Sequence, residues 1–587
     1  MGIYHKLAER KKEYCDLLTE AAEQRRQENG WKQYPRPQMK RELYQILHEN
    51  WKLNGQNIRV PFPPQSVLSE YQGQISECMT YEMNFRIPAS FIKERILLHF
   101  GAVDQIAEVW INDVCMGRHE GGYLMYTLDI SDVVKREENN KMVVKVTDKL
   151  SKIYPYGKQR KKRGGMWYTP ISGIWQSIWL ENVPADYIEN IRMKPDLDGI
   201  HIQIQSFNTT LTEAAGANDI RFTATITLDN GEVLTKNFDN PEGYICLSDY
   251  VCADGSRYRP QYWTPENPYL YSMKIKAGND TVETYFALRT IEIKEVDGCK
   301  RVCLNGKPIF LHGVLDQGYY SDGIFLPAEP EEYERDILRM KELGFNLLRK
   351  HIKVEPECFY YYCDKYGMLV MQDMVNNGGY SFLRDTALPT FGMKRKKDTG
   401  GKPDRRKAFF REHTKQTIQQ LYNHPCIIAY TIFNEGWGQF DSDAMYDWLR
   451  TLDDSRLIDS TSGWFKQKKN DFDSEHIYFR IRDLKVGSRP LFVTECGGYT
   501  RMIEGHSYNP KHSYGYGSAA DQEELTDMIN TMYRQMILPG MKAGVCGCIY
   551  TQLSDVEDEV NGLYTYDRKV CKVDKDVMIR LADELKL

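Results

Sequence analysis

Two β-sandwiches followed by a (β/α)8 TIM barrel is the fold class this chain predicts, and three observations predict it. Up to residue 184, short strand-like segments recur at hairpin spacing; over 185–295, apolar and polar residues alternate more strictly; over 296–587, short apolar runs alternate with amphipathic helical stretches. The length of 587 residues suits that division, at roughly 150 residues for an ordinary domain and about 250 for a barrel.

The first region, 1–184, opens on a charged helical pattern up to Arg26 that lacks the apolar stretch of a secretory leader. From about Asn57 the period becomes strand-like. Segments 96–102, 108–112 and 141–146 are rich in β-branched and aromatic residues and are divided by turn signals such as Asn112-Asp113 and Asp148. That is the pattern of an N-terminal β jelly-roll sandwich, closing at Trp175–Glu181 before Pro184. The second region has clean alternation at 201–206, 221–227 and 271–276 and suits an immunoglobulin-like β-sandwich, with Cys246 and Cys252 too close in sequence to bridge its sheets. In the third, strands are expected at 309–314, 345–351, 368–373, 427–435, 457–462, 476–479, 491–495 and 544–550. Helices over 331–343 and 356–366 end at Gly344 and Gly367, and a closing helix is expected over 574–585. No strand leads into a Gly-x-Gly-x-x-Gly turn, so a doubly wound sheet is disfavoured.

Composition removes several function classes. Lys and Arg number 77 against 82 Asp and Glu, a net charge of −5, so nucleic acid is not the expected partner. No apolar stretch approaches the ~18–20 residues that cross a bilayer, so no membrane partner is expected. The 14 cysteines are scattered without zinc spacing, which reads as reduced thiols of a cytoplasmic protein with no metal and no cofactor. Basic runs at 158–163 and 394–397 read as solvated loops.

Barrel active sites lie at the C-terminal ends of the strands, so the strand ends give a shortlist. The second strand ends in Arg349-Lys350-His351 and the third in Asp373. The fourth ends in Asn434-Glu435 with Trp437 just beyond, the sixth near Tyr478, the seventh in Glu495 and the eighth in Tyr550. Paired carboxylates, a carboxamide, an arginine and several rings are the groups that glycoside hydrolysis needs. Glu435 follows the largely apolar run 426–433, and a charge is costly there unless function or pairing keeps it. A metal site is the weaker reading: Glu475 and His476 are strand neighbours facing opposite sides, and no His-Glu-x-x-His motif is present.

At these residues the sequence resembles glycoside hydrolase family 2, the family of β-galactosidases, β-glucuronidases and β-mannosidases. The likeness runs through Asp104–Asn112, Gly117–Tyr123, Gly173–Glu181, Trp263–Tyr271 and Leu304–Pro308. The resemblance implies Glu435 as general acid/base and Glu495 as nucleophile of a retaining exo-β-glycosidase. It implies Asn434 at the sugar 2-hydroxyl, Tyr478 holding Glu495 ionised, and Tyr550 where the family presents a tryptophan. Arg349 either supports Glu495 or serves as a barrel salt bridge. Lys350-His351-Ile352-Lys353 replaces most of the Ser-His-Tyr-Pro of galactosidases and glucuronidases. Glu559-Val560-Asn561 stands where glucuronidases carry Asn-x-Lys, which argues against an ordinary β-glucuronidase. Lys350, His351, Lys353 and Arg501 could read an anionic sugar such as a galacturonide, or the lysines are solvated or paired. The expected substrate is a galacto-configured β-glycoside, neutral or acidic. The alternatives are a β-glucuronidase or a non-catalytic carbohydrate-binding protein. The family also implies a homo-oligomer. Segment 375–406 is expected to overhang the mouth and shape the aglycone site.

Overall fold

The computed structural model describes residues 14–24, 28–207, 221–390, 393, 398, 404–478 and 480–587. The helical pattern over 1–13 and the basic run 394–397 lie outside the described residues.

Alternation builds the first sandwich. In Cys78–Phe85 the side chains of Met79, Tyr81, Met83 and Phe85 are buried, and in Asn140–Thr147 those of Met142, Val144 and Val146, so each strand gives one face to the core. A six-stranded antiparallel sheet containing both packs on a four-stranded one in the order Tyr44–Ile46, Ile178–Val183, Arg95–Phe100, Tyr126–Asp129. A smaller sandwich follows, with three strands over Ile188–Pro195, Gly199–Ser206 and Glu242–Cys246. Its second sheet has four, Val233–Phe238, Phe222–Thr227, Tyr271–Ala277 and Asp280–Phe286. Arg41 ties the sandwiches together through ion pairs to Glu181 (2.7 Å) and Asp280 (2.8 Å). The hairpin Ile291–Val296/Cys299–Leu304 then leads into the barrel.

The barrel has eight parallel strands: β1 (Leu311–Asp316), β2 (Leu347–Lys350), β3 (Leu369–Asp373), β4 (Ile427–Asn434), β5 (Leu457–Ser462), β6 (Asp473–Ile477), β7 (Leu491–Gly497) and β8 (Val545–Thr551). Pairing runs β5-β4-β3-β2-β1-β8-β7-β6, and the ring is nearly closed at a seam between β5 and β6. Side chains bridge that seam: Ser462 Oγ lies 2.9 Å from His476 Nε2 and 3.4 Å from Ser474 Oγ. Helices Glu331–Glu342, Glu357–Tyr366, Arg405–Leu421, Ser442–Leu452, Gln522–Met532 and Lys575–Glu584 follow β1 to β4, β7 and β8. Gly367 ends the second helix in the left-handed conformation, its N–H bonded to Cys363 O. Among the described residues no helix follows β5 or β6. There the described chain returns over 463–472 and 480–490, where Gly463, Gly487 and Pro490 stand in place of an apolar helical stripe. Trp263 Nε1–H donates to Asp364 O (2.8 Å), docking the second sandwich on the barrel.

Candidate active site

Two glutamates face each other across the barrel mouth because their strands end irregularly. β4 is buried through Asn434. Glu435 then turns to φ 52, its N–H bonded to Ser462 O at 3.0 Å, with Gly436 at φ 73 next. A non-glycine residue in this region costs of order 1 kcal/mol, and such positions cluster at active sites. In β7 the register shifts between Val493 and Cys496 relative to β8, and in β6 between Glu475 and His476 relative to β7. That irregularity turns both Thr494 and Glu495 inward. Thr494 Oγ1 lies 2.6 Å from Ser474 Oγ and accepts from Ser462 Oγ at 3.1 Å. One carboxylate oxygen of Glu435, one of Glu495 and a ring nitrogen of His476 lie within 4.8 Å of one another. Glu435 is 9% exposed and Glu495 4%, so both open onto the mouth without being solvated.

Arg349 organises the floor. Its Nη1–H groups donate to Glu495 Oε1 and Thr494 O (each 3.0 Å), Nη2 to Asn434 Oδ1 (2.9 Å) and Nε to Asp373 Oδ1 (3.0 Å). Asp373 Oδ2 lies 2.9 Å from His351 Nδ1. On the far side Tyr478 donates its hydroxyl to Glu495 Oε2, and the Tyr516 ring stacks on Tyr478 at 3.9 Å. His476 Nδ1 shares a 2.8 Å hydrogen bond with Glu435 Oε1. Burial lifts the Glu495 carboxyl, but His476, Arg349, His351 and the Tyr478 hydroxyl together hold it down at about 2. Burial also works against the Arg349 charge, and Asp373 and Glu495 more than offset it. His476, Glu435 and Glu495 are all metal-ligand types, yet their donors are engaged with one another and with Ser462, Arg349 and Tyr478.

The structure thus brings together Glu435, Glu495, Asn434, Arg349, His351, Asp373 and Tyr478. Trp437 forms the neighbouring wall, its ring edge-on to Trp167 (5.1 Å) and Tyr156 (5.4 Å). Four expected residues are elsewhere. Lys350 is fully buried behind β2, paired with Asp316 (2.5 Å) and Glu355 (2.9 Å). Adjacent strand residues face opposite sides, so an inward Arg349 forces Lys350 outward. Lys353 is likewise saturated by Glu355 and the carbonyls of Gly318 and Phe325. Arg501 turns to Lys572 O (3.0 Å), away from Glu495. The Tyr550 ring is 1% exposed beneath Gly497, where a Cβ would come within 2.4 Å of it, so it is no platform for a sugar. His476 is the important residue that the strand-end survey missed. Its parity with Tyr478, two positions on, was the available signal.

Fold and site define the class: a parallel barrel with two facing carboxylates, carried behind two β-sandwiches. The particular family follows from sequence comparison. Residues 58–174 match the glycosyl hydrolase 2 galactose-binding domain-like family, 187–289 the glycosyl hydrolases family 2 and 293–487 the family 2 TIM barrel domain. The chain belongs to glycoside hydrolase family 2. A "Beta-galactosidase" of Thermoanaerobacter pseudethanolicus is 26% identical over 381 residues, covering 62% of this chain and 45% of that protein. A "Beta-galactosidase" of Klebsiella pneumoniae is 26% identical over 443 residues, covering 70% and 39%. The matches thus span less than half the length of these two relatives. Among solved structures, a "Beta-glucuronidase" of an uncultured Clostridium superposes with a TM-score of 0.68 at 18% identity, covering 93% of this chain and 99% of that one. A Dictyoglomus thermophilum "beta-D-Glucuronidase" gives 0.69 at 17%, covering 94% and 98%. These likenesses speak to the fold.

Proposed function

We propose that this protein is a retaining exo-β-glycosidase that removes a terminal, galacto-configured sugar by double displacement. The observation that carries the reading is the approach of the Glu435 and Glu495 oxygens to within 4.8 Å. That matches the ~5–5.5 Å spacing of a nucleophile and an acid/base and falls short of the ~6.5–9.5 Å that leaves room for an inverting water. Glu495, held ionised by Arg349 and Tyr478, attacks the anomeric carbon. Glu435 gives its proton to the departing oxygen, and His476 fixes the direction of its carboxyl. Glu435 then takes a proton from water, which releases the sugar with its configuration retained. Asn434, oriented by Arg349, is placed to bind a sugar hydroxyl near the reacting carbon. Trp167, Trp437 and Tyr380 wall one side of the mouth, which supports attack at a chain end. The β-galactosidase relatives favour the galacto configuration. The cysteines are free thiols, which supports a reducing compartment such as the cytoplasm.

The test is turnover of 4-nitrophenyl β-D-galactoside, β-D-galacturonide and β-D-glucuronide by the full chain and by Glu495→Gln. We expect a galacto substrate to lead and the variant to lose several orders of magnitude. No turnover of any glycoside, or near-full activity of Glu495→Gln, would overturn the proposal.

A further inference from the structure

The loop over 157–168 of the first sandwich crosses the barrel mouth and is anchored on both rims. At one rim the N–H groups of Tyr156 and Gly157 donate to Asn376 O, just beyond β3 (3.1 and 3.2 Å). At the other, Tyr168 donates its hydroxyl to Glu559 Oε2, beyond β8. A Cβ on Gly164 would lie 3.4 Å from Asp558, and one on Gly165 3.5 Å from the Tyr514 ring. Within the loop, Gln159 bridges to Tyr168 in extended conformation, and its amide turns back into the sandwich, to Asp104 (3.1 Å) and Ile171 N (2.8 Å). Lys158 precedes Gln159 in a turn with Gly157, whose φ is 63. Its Nζ lies 6.0 Å from the Trp167 ring centre, and that ring meets Trp437 two residues beyond Glu435.

Lys158 is half-buried, and among the described residues no carboxylate oxygen lies within ion-pairing distance of it. Its charge is felt at both rims. Burial lowers the His351 ring and Lys158 adds to that. Burial raises the Glu559 carboxyl and Lys158 acts against that. The other cations expected at the mouth are committed: Arg349 to Asp373 and Glu495, Lys350 to Asp316 and Glu355, Arg501 to a carbonyl. A half-shielded ammonium lacking a counter-charge gains most from a ligand carboxylate, through a charge-assisted hydrogen bond that a neutral hydroxymethyl group cannot give. Glu559 does not compete for that role, because Tyr168 and Asn561 Nδ2 (3.1 Å) already hold it.

We infer that Lys158 binds the C5 carboxylate of a hexuronide and so makes an acidic sugar the substrate class of this site. The inference rests on the glycosidase reading and deepens it. The experiment compares kcat/KM for β-D-galacturonide, β-D-glucuronide and β-D-galactoside in the full chain, Lys158→Met and Lys158→Arg. Binding of free galacturonate and glucuronate is measured by calorimetry in parallel. We expect the better uronide to exceed the galactoside in the unmodified protein. Lys158→Met should lower the uronide-to-galactoside ratio about 10–100-fold, with partial recovery in Lys158→Arg. A ratio unchanged within about threefold, or a galactoside preferred by the unmodified protein, overturns the inference and leaves the glycosidase reading standing. Absence of all turnover overturns the glycosidase reading. In that case uronate binding lost in Lys158→Met upholds the carboxylate site, and no uronate binding overturns it.

Discussion

Replacing His476 by alanine removes the group that touches both catalytic candidates, and the structure sizes the consequence. His476 shares hydrogen bonds of 2.8 Å with Glu435 and 2.9 Å with Ser462 and lies 3.5 Å from Glu495. Burial raises the Glu495 carboxyl, and His476 leads Arg349, His351 and Tyr478 in drawing it from 4.5 to about 2. Losing the leading contributor should let that carboxyl rise back towards its ordinary value. Glu495 must be ionised to attack, so a raised pKa moves the acidic limb of the kcat/KM profile to higher pH. The lost bond to Glu435 should also lower the plateau about tenfold. The assay is steady-state kcat/KM against pH on an activated nitrophenyl glycoside, with thermal melting to confirm that the variant is folded. A folded His476→Ala whose acidic limb stays in place would refute the claim that this ring sets the charge state of Glu495.

Other substitutions separate the remaining roles. Tyr478→Phe removes the hydroxyl donated to Glu495 Oε2 and should lower kcat about 10–100-fold without changing the melting temperature; an unchanged kcat would contradict its role. Arg349→Met takes the guanidinium from the buried carboxylates Asp373 and Glu495, leaving them only His351, Tyr478 and His476, and should cost about 3–5 kcal/mol of stability in urea unfolding. A loss under about 1 kcal/mol would mean that the floor network is dispensable. Glu435→Gln should slow glycosides with poor leaving groups far more than dinitrophenyl glycosides, because good leaving groups need no proton. Equal losses on both would count against Glu435 as the acid.

The eight barrel strands were legible because buried parallel strands are continuous apolar runs bounded by Gly and Pro. The two acids stood out because an apolar run that ends in a carboxylate is costly without a purpose. Other features were hidden for specific reasons. Arg349 and Lys350 sit side by side, and only a known facing direction for one tells where the other goes. His476 was discounted with Glu475, although strand parity sends Glu475 outward, to Lys466 (3.1 Å), and His476 inward. The missing helices after β5 and β6 reflect segments too rich in breakers to carry an apolar stripe. Lys158 belongs to a run that reads locally as a solvated loop. Its position over the mouth depends on the docking of one domain on another, which no local pattern encodes.

Covalent trapping tests the central claim most directly. The protein would be incubated with a 2-deoxy-2-fluoro β-glycosyl fluoride of the preferred sugar, digested and mapped by mass spectrometry. We predict one fluoroglycosyl adduct, carried by Glu495 in an ester that forms as activity is lost and reverses as it returns. An adduct on Glu435, or full inactivation with no ester on either glutamate, would contradict it.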